Sequence, residues 1–106
     1  MKLITKQLEQ KFKKHPLYSQ EEAEDPVAIA KYFLPFGRGT WYVIEAQKET
    51  DGDYYFFGYV ESPIDPLFDE YGYFTLKQLE EIRTPFGGIE RDLYSKDTKM
   101  SEIKGE

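Results

Sequence analysis

The sequence predicts an α+β fold, with a mostly antiparallel sheet of three to five strands, an N-terminal helix and a second helix packed on it. Apolar residues recur at helical spacing near the N-terminus. Two β-branched and aromatic runs flank an Asp-Gly turn in mid-chain, and a second helical pattern follows a threonine near residue 75. With 106 residues the chain is expected to form one domain, since two would each be too small for a core.

The first helix is indicated by Ile4, Leu8 and Phe12, which recur every four residues among polar side chains and so form one apolar stripe. Proline after His15 is expected to end this helix. The polar segment that follows is expected to be a connecting loop. Residues 27–34 are rich in Val, Ile, Tyr and Phe and are a candidate strand.

The clearest hairpin joins residues 40–45 to residues 54–60, with a turn supplied by Asp51 and Gly52. Aromatic side chains on both faces of the second strand indicate a central strand, covered by helix on one face and by loops or a partner on the other. Gly58 within this strand is expected to mark a bulge or a close approach of a neighbouring group.

A short strand over residues 71–74 is expected to lead into the second helix. Thr75 can cap the backbone N–H of Gln78, whose own side chain can reach back to Thr75, which is the pattern of a capping box. The folded domain is predicted to span residues 1–94. Residues 95–106 are polar and are predicted to form a flexible C-terminal tail.

The formal net charge of −6 is unevenly distributed. Residues 1–14 hold five lysines and one glutamate, a net charge of +4, whereas residues 15–106 hold nine basic and nineteen acidic residues, a net charge of −10. Such an acidic body repels phosphate backbones, so direct nucleic-acid binding is disfavoured except through the basic N-terminal segment. The acidity serves either a partner or only solubility, and both explanations stay open.

Cysteine is absent, which excludes disulfides and thiolate metal sites. The N-terminal residues carry charges every few positions and contain no hydrophobic block typical of a signal peptide. No window of the sequence approaches the roughly 18 apolar residues of a membrane-spanning helix. A cytoplasmic protein without membrane association is the expectation.

The residues needed for familiar catalytic sites are scarce. Nucleophilic hydrolysis requires a positioned base, yet the single histidine, His15, is expected on the surface at a helix end. Clustered carboxylates near residues 51–53 and 65–70 could attract a hard cation, but they lack the spacing of a calcium loop and are expected to be solvated turn acids. Gly87 and Gly88 follow a helix instead of opening one, so they do not predict a phosphate site. No metal and no cofactor is predicted.

A metal-dependent nuclease is the nearest approach to an enzyme. Such sites commonly pair an Asp with a Glu-x-Lys motif on adjacent strands. The closest segment here runs from Glu45 to Lys48, which is one residue too long and enters a turn. Catalytic activity is therefore left open and is disfavoured.

Several landmarks occur in an order that resembles a known family. They are Pro16-Leu17-Tyr18-Ser19-Gln20-Glu21, Trp41-Tyr42 with Glu45, Phe56-Phe57-Gly58, Gly72-Tyr73-Phe74 before a Leu-rich helix, and Ile89-Glu90-Arg91-Asp92-Leu93-Tyr94. Over about residues 3–94 the chain resembles the bacterial family described as domain of unknown function 2958. The resemblance implies a small protein without an established activity, of a kind encoded on plasmids, conjugative elements and phages.

Arg91 is expected to serve as a structural fastening, which is favoured over a catalytic role. If residues 89–94 are extended, Arg91 shares a face with apolar side chains and needs an aromatic ring or a carboxylate, for example Glu45. The residues assigned structural roles are Trp41, Glu45, Gly58, Thr75 and Arg91.

The leading functional hypothesis is a non-enzymatic acidic binding protein of a mobile genetic element. Exposed carboxylates in the predicted loops can imitate a phosphate backbone and bind the basic groove of a protein such as a restriction or CRISPR enzyme, with tyrosines as anchors. Alternatives are an accessory factor in plasmid replication or transfer and a small enzyme of unrecognised type. The oligomeric state stays open. The candidate partner-binding residues are Asp51, Asp53, Asp65, Asp69, Glu70, Tyr54, Tyr55, Tyr59 and Tyr71.

Overall fold

The computed structural model describes residues 2–106 and confirms the predicted α+β class. Most of the helices and strands lie in the order that the sequence pattern predicts. In chain order they are α1 (Lys6–Lys13), β1 (Val27–Ala28), β2 (Ala30–Phe33), β3 (Thr40–Lys48), β4 (Tyr54–Glu61), the 3₁₀ turn η1 (Pro66–Phe68), β5 (Glu70–Thr75), α2 (Leu76–Glu81), β6 (Arg83–Thr84), β7 (Gly87–Gly88), β8 (Glu90–Arg91), β9 (Thr98–Lys99) and α3 (Met100–Lys104).

A five-stranded antiparallel sheet organises the domain, with the strand order β5-β4-β3-β2-β8. The hairpin of β3 and β4 lies at its centre, as the aromatic character of both faces indicates. Two small antiparallel pairs accompany this sheet, one formed by β1 and β9 and the other by β6 and β7. The second pair places Gly87 and Gly88 in a short hairpin that follows α2.

The central hairpin contains a bulge opposite Gly58. Val43 pairs with Gly58 but Glu45 pairs with Phe57, so Ile44 is an extra residue on β3. A Cβ atom added to Gly58 would lie 1.8 Å from the carbonyl oxygen of Tyr42. Glycine is therefore required at this position because the two backbones approach too closely for any side chain.

The first face of the sheet is covered by α1 and α2. Phe12 of α1 packs edge-on against Tyr54 and Phe56 at ring-centroid distances of 5.4 and 5.5 Å, and Leu79 of α2 joins the same core. Helix α2 begins with the predicted capping box between Thr75 and its N3 residue. These contacts bury large aromatic surfaces, which is the main source of stabilisation in so small a domain.

The second face carries a smaller core of Ala28, Ile44 and Met100, which are 4, 1 and 1% exposed. The bulge allows this arrangement, because Ile44 and the following Glu45 both lie on the second face when one residue of β3 is left out of the pairing. Strands β1 and β9 and helix α3 supply the cover. Part of the face stays open along β4 and β5.

Two predicted elements differ in their bounds. Helix α1 begins at Lys6, after a cap in which Thr5 Oγ1 accepts the N–H of Leu8, so Ile4 precedes the helix and packs on the core from there. The single strand predicted over residues 27–34 is divided at Ile29, whose N–H donates to the carbonyl of Val43. The division lets β1 leave the main sheet and pair with β9.

The prediction of a flexible tail over residues 95–106 is corrected by the structure, because residues 98–104 form β9 and α3 and pack on the domain. The N–H of Met100 donates to the carbonyl of Pro26, and Ser101 donates from its N–H and its hydroxyl to Asp25 at 2.9 and 2.6 Å. Lys11 of α1 also forms an ion pair with Asp97. A polar segment with few apolar residues gave no signal for this docking, since its partners lie about 75 residues away in sequence.

Candidate functional site

Asp51 and Asp53, the predicted partner-binding acids of the β3–β4 turn, bind other groups of the chain itself. Asp51 accepts the N–H of Asp53 and forms an ion pair with Lys77 at 3.2 Å. One oxygen of Asp53 accepts the N–H groups of Tyr54 and Lys77 at 2.8 and 3.1 Å. The two carboxylates thus fasten the turn to the first residues of α2. They form a structural contact between hairpin and helix.

The second acidic group lies in the connection between β4 and β5. Asp65 caps η1 by accepting the N–H of Leu67, and Glu70 is exposed at the beginning of β5. Asp69 accepts two hydrogen bonds from the guanidinium of Arg38 at 2.8 and 2.7 Å. It also accepts the N–H of Ser62 at 2.7 Å. Asp69 is therefore the acceptor that joins two loops.

The two acidic groups are at opposite ends of strand β4, because one lies before it and the other after it. A strand of eight residues is about 25 Å long at a rise of ~3.3 Å per residue. Charges separated by this distance are screened from one another at physiological ionic strength. The predicted acids therefore do not form a single continuous array.

Replacing Asp69 by Asn should lower the melting temperature at neutral pH. The hydrogen bonds from Arg38 hold the pKa of Asp69 below its ordinary value of 3.8. A depressed pKa contributes stability that is present above pH 3.8 and is lost as the pH falls through the folded-state pKa. The difference in melting temperature between wild type and D69N should thus narrow in acid, as thermal unfolding followed by circular dichroism would show.

Glu70→Gln is the matched control, since Glu70 is the exposed neighbouring acid and should leave the melting temperature almost unchanged. Equal melting temperatures of D69N and wild type at neutral pH would contradict the structural assignment of Asp69.

Five large apolar side chains are exposed at the end of the sheet where β4 passes into β5. We call the surface that they form the apolar end. It is formed by two loops and the tip of the β6–β7 hairpin. Arg38 joins the loops through Asp69 and through the carbonyl of Ser62. The rings of Phe36 and Phe86 are in contact at a centroid distance of 4.8 Å. The side chains and their exposed fractions are Phe36 63%, Ile64 82%, Leu67 89%, Phe68 61% and Phe86 69%.

Sequence reasoning missed the apolar end because it treated these loops only as acidic. A signal was present in the segment from Pro63 to Phe68, where apolar residues surround a single acid. A loop expected to be solvated has no internal reason to hold three large apolar side chains.

The predicted tyrosine anchors lie on different faces. The prediction that Tyr54 binds a partner is corrected, because Tyr54 is 4% exposed within the core of the first face and cannot contact a partner. Tyr55, Tyr59 and Tyr71 lie on the open second face, where Tyr55 stacks on Tyr73 at 5.1 Å. Alternation along β4 explains the error, because adjacent tyrosines of a strand point to opposite faces.

A pocket of about 340 Å³ opens on the second face between β5 and the loop that follows α1, and is called the second-face pocket. Its base includes Glu45, which is 3% exposed and accepts the N–H groups of Tyr18 and Gln20, both at 2.8 Å. The Gln20 amide donates to the carbonyls of Val27 and Ile44 and accepts the N–H of Val27. These bonds hold the loop over the sheet.

Tyr18 is the residue of this pocket that carries backbone strain, with φ of +73°. A non-glycine residue with positive φ costs of order 1–3 kcal/mol and persists only where its surroundings enforce it. Here the Glu45 carboxylate enforces it through the Tyr18 N–H. Tyr18 belongs to one of the sequence landmarks, but the sequence gives it no role, because nothing in the sequence around a tyrosine signals a positive φ.

The suggested pairing of Arg91 with Glu45 is wrong. Both oxygens of Glu45 accept backbone N–H groups, one from Tyr18 and one from Gln20. Arg91 donates instead from Nε to the carbonyl of Lys2 at 3.3 Å. It lies on β8, opposite Tyr32, whose hydroxyl donates to the carbonyl of Leu3 at 2.7 Å. Both contacts hold the N-terminal segment against the edge of the sheet.

The remaining predicted site residues lie in the interior of the fold or at helix ends. Trp41 is 7% exposed on β3, within the first-face core. Among residues 2–106 no three His, Asp or Glu side chains are grouped closely enough to hold a metal ion. No helix in the same residues is long and apolar enough to cross a membrane.

The family model described as Protein of unknown function (DUF2958) matches residues 3–103. The match extends past residue 94 and thus includes β9 and most of α3, in agreement with their packing on the sheet. Neither the curated proteins nor the solved structures include a match to the chain. Because the family model covers nearly all of its residues, the chain belongs to the family Protein of unknown function (DUF2958).

Proposed function

We propose that this chain is a non-enzymatic binding protein that recognises another protein through the apolar end. The single observation that carries the proposal is the grouping of large, exposed apolar side chains on loops that are held in place. Leu67 is 89% exposed and Ile64 is 82% exposed. Several large apolar side chains exposed together at one end of a monomer are uncommon unless they serve an interaction.

Order in the loops favours recognition over mere tolerance of apolar residues. The paired hydrogen bonds between Arg38 and Asp69 fix the loops relative to each other. A fixed loop presents its side chains without the entropy cost of ordering them on binding. The rings of Phe36 and Phe86 are also in contact, which restricts the movement of both side chains. The apolar end is therefore a preorganised surface.

The acids around this surface fit a partner with a basic rim. Asp65 and Glu70 lie on either side of Leu67 and Phe68 in sequence, and the body of the protein is acidic. Opposite charge at the rim of an interface accelerates association and excludes wrong partners, while the apolar centre supplies affinity. A nucleic-acid-binding enzyme, such as a restriction or CRISPR effector, is one class of protein with that combination.

Changing Leu67 and Phe68 together to serine should abolish capture of the partner without unfolding the protein. Both side chains are exposed, so the free energy of unfolding should change by less than about 0.5 kcal/mol. Immobilised wild type and double variant are compared for proteins retained from a cell extract, and sedimentation tests whether the partner is a second copy of the chain.

Leu93→Ser with Tyr94→Ser is the matched control, because these residues are 57 and 89% exposed outside the apolar end. A partner retained equally by the Leu67 and Phe68 variant would contradict the proposal. Retention that disappears between about 50 and 200 mM salt and is insensitive to that variant would favour the acidic decoy instead.

A further inference from the structure

The second-face pocket is lined by aromatic rings and carboxylates. It shares no side chain with the apolar end, so it offers a separate binding function. Its side chains that bear on ligand chemistry are Tyr18, Glu21, Glu45, Phe57, Tyr71 and Tyr73.

The charges of this lining select for a cation. Aromatic faces carry negative partial charge and attract ammonium and guanidinium groups within about 6 Å. Glu21 and Glu45 add formal negative charge, and no Lys or Arg is among the lining residues within the described chain. The volume of about 340 Å³ lies at the lower end of ligand pockets. A single cationic side chain matches that size.

Tyr18 gives the pocket a prepared shape. Its backbone has a positive φ, and its N–H donates to the Glu45 carboxylate, which holds Tyr18 in this conformation. Partial burial raises the pKa of Tyr73, and the neighbouring Tyr18 and Glu45 side chains raise it further. The Tyr73 hydroxyl is neutral at pH 7, as an ordinary tyrosine is, and its oxygen can accept a hydrogen bond from a cationic ligand.

One ring of the lining, Tyr71, is already in contact with a cation of the chain, Lys104. Its Nζ lies 5.0 Å from the ring centroid of Tyr71 and 5.3 Å from that of Tyr59. Tyr71 also lines the pocket. The chain thus uses the same aromatic group for a cation of its own beside the open space.

We propose that the second-face pocket binds the guanidinium group of an arginine side chain presented by a polypeptide. The planar guanidinium can stack on the Tyr and Phe rings while its N–H groups donate in the plane to carboxylate and hydroxyl oxygens. Glu21 is the exposed carboxylate of the lining, whereas Glu45, which is 3% exposed, contributes its negative charge from the base of the pocket. An ammonium group stacks less well and matches fewer of these acceptors.

The test is an NMR titration of the full chain with three blocked tripeptides, acetyl-Gly-Xaa-Gly-amide, in which Xaa is arginine, lysine or citrulline. Citrulline keeps the shape of arginine without its charge. The arginine peptide should shift the amide signals of Tyr18, Gln20 and Phe57. It should bind about fivefold more tightly than the lysine peptide and at least about tenfold more tightly than the citrulline peptide.

Free arginine separates a small-molecule ligand from a polypeptide one. Glu21 and Glu45 repel its α-carboxylate and attract its α-ammonium group, so these two charges roughly cancel. Free arginine also lacks the flanking peptide groups, so it should bind no more tightly than the blocked peptide. Tighter binding of free arginine would overturn the polypeptide source.

Tyr73→Ala should weaken binding of the arginine peptide at least about fivefold, whereas Tyr73→Phe, which keeps the ring, should retain most of it. Glu21→Gln removes charge from the loop and should weaken binding without affecting the sheet. Tyr94→Ala is the control, since Tyr94 is 89% exposed elsewhere. Equal affinity for arginine and citrulline, equal affinity for arginine and lysine, or undiminished binding by both Tyr73→Ala and Glu21→Gln would overturn the proposal.

Discussion

We expect Gly58→Ala to destabilise the protein by about 3 kcal/mol or more, and to lower its melting temperature by roughly 12 °C or more. The added methyl group would lie 1.8 Å from the Tyr42 carbonyl oxygen, 2.9 Å from its carbonyl carbon and 3.2 Å from Val43 Cα. All three atoms belong to the backbone of β3, so no side-chain rotation can relieve the contact. The central pair of strands must separate at the bulge. Thermal and urea unfolding measure the change.

Gly72→Ala is the matched control because Gly72 faces Gly58 directly across β4 and β5. Among the residues that the structure describes, no heavy atom outside the neighbouring residues would lie within 4 Å of a Cβ atom added there. Alanine is better than glycine in a strand, so the melting temperature should stay the same or rise slightly. Comparable losses in the two variants would mean that glycine matters for strand propensity and not for the close approach.

The centre of the sheet was predictable because its signals are local. The β-branched and aromatic runs, the Asp51-Gly52 turn and the Thr75 cap each act within a few residues, so they can be read directly from sequence. Even the special role of Gly58 followed, since a glycine inside an aromatic strand needs a steric reason. The capping box and the register of β3 with β4 agree with those signals.

The edges of the fold were not predictable in the same way. Strand β9 and helix α3 depend on Asp25 and Pro26, which are distant in sequence, and on a single buried Met100. A short polar segment of this kind has no periodic pattern of its own. Its order comes from the contact and not from the segment.

The candidate sites were predictable only in part. The acidic loops and the tyrosines are visible in the sequence, but sequence alone could not reveal that Asp69 is paired with Arg38 or that Tyr54 is buried. Both facts depend on partners or face assignments set by tertiary structure. The bulge at Ile44 is the clearest case, because one unpaired residue brings Glu45 to the second face and so creates the base of the pocket.

Glu45→Gln should lower the free energy of unfolding by about 2–3 kcal/mol and the melting temperature by roughly 10 °C. The carboxylate accepts the N–H groups of Tyr18 and Gln20, and a hydrogen bond to a charged group contributes about 1.5–3 kcal/mol. A glutamine side chain offers one oxygen and directs an NH₂ group at the other backbone donor. That donor then lies in the fold without an acceptor, and Tyr18 loses the contact that enforces its positive φ.

Glu22→Gln provides the comparison, since Glu22 is an exposed acid of the same loop and its loss removes the same formal charge. Hydrogen exchange distinguishes a local effect from a global one. In E45Q the amides of Tyr18 and Gln20 should exchange much faster than in wild type, while amides in the centre of β3 and β4 change only as far as global stability falls. Unchanged protection of both loop amides would show that the rest of the loop, through the Gln20 side-chain bonds to Val27 and Ile44, suffices to hold it. Loss of protection confined to the loop would identify Glu45 as the residue that holds this loop in place beside the second-face pocket.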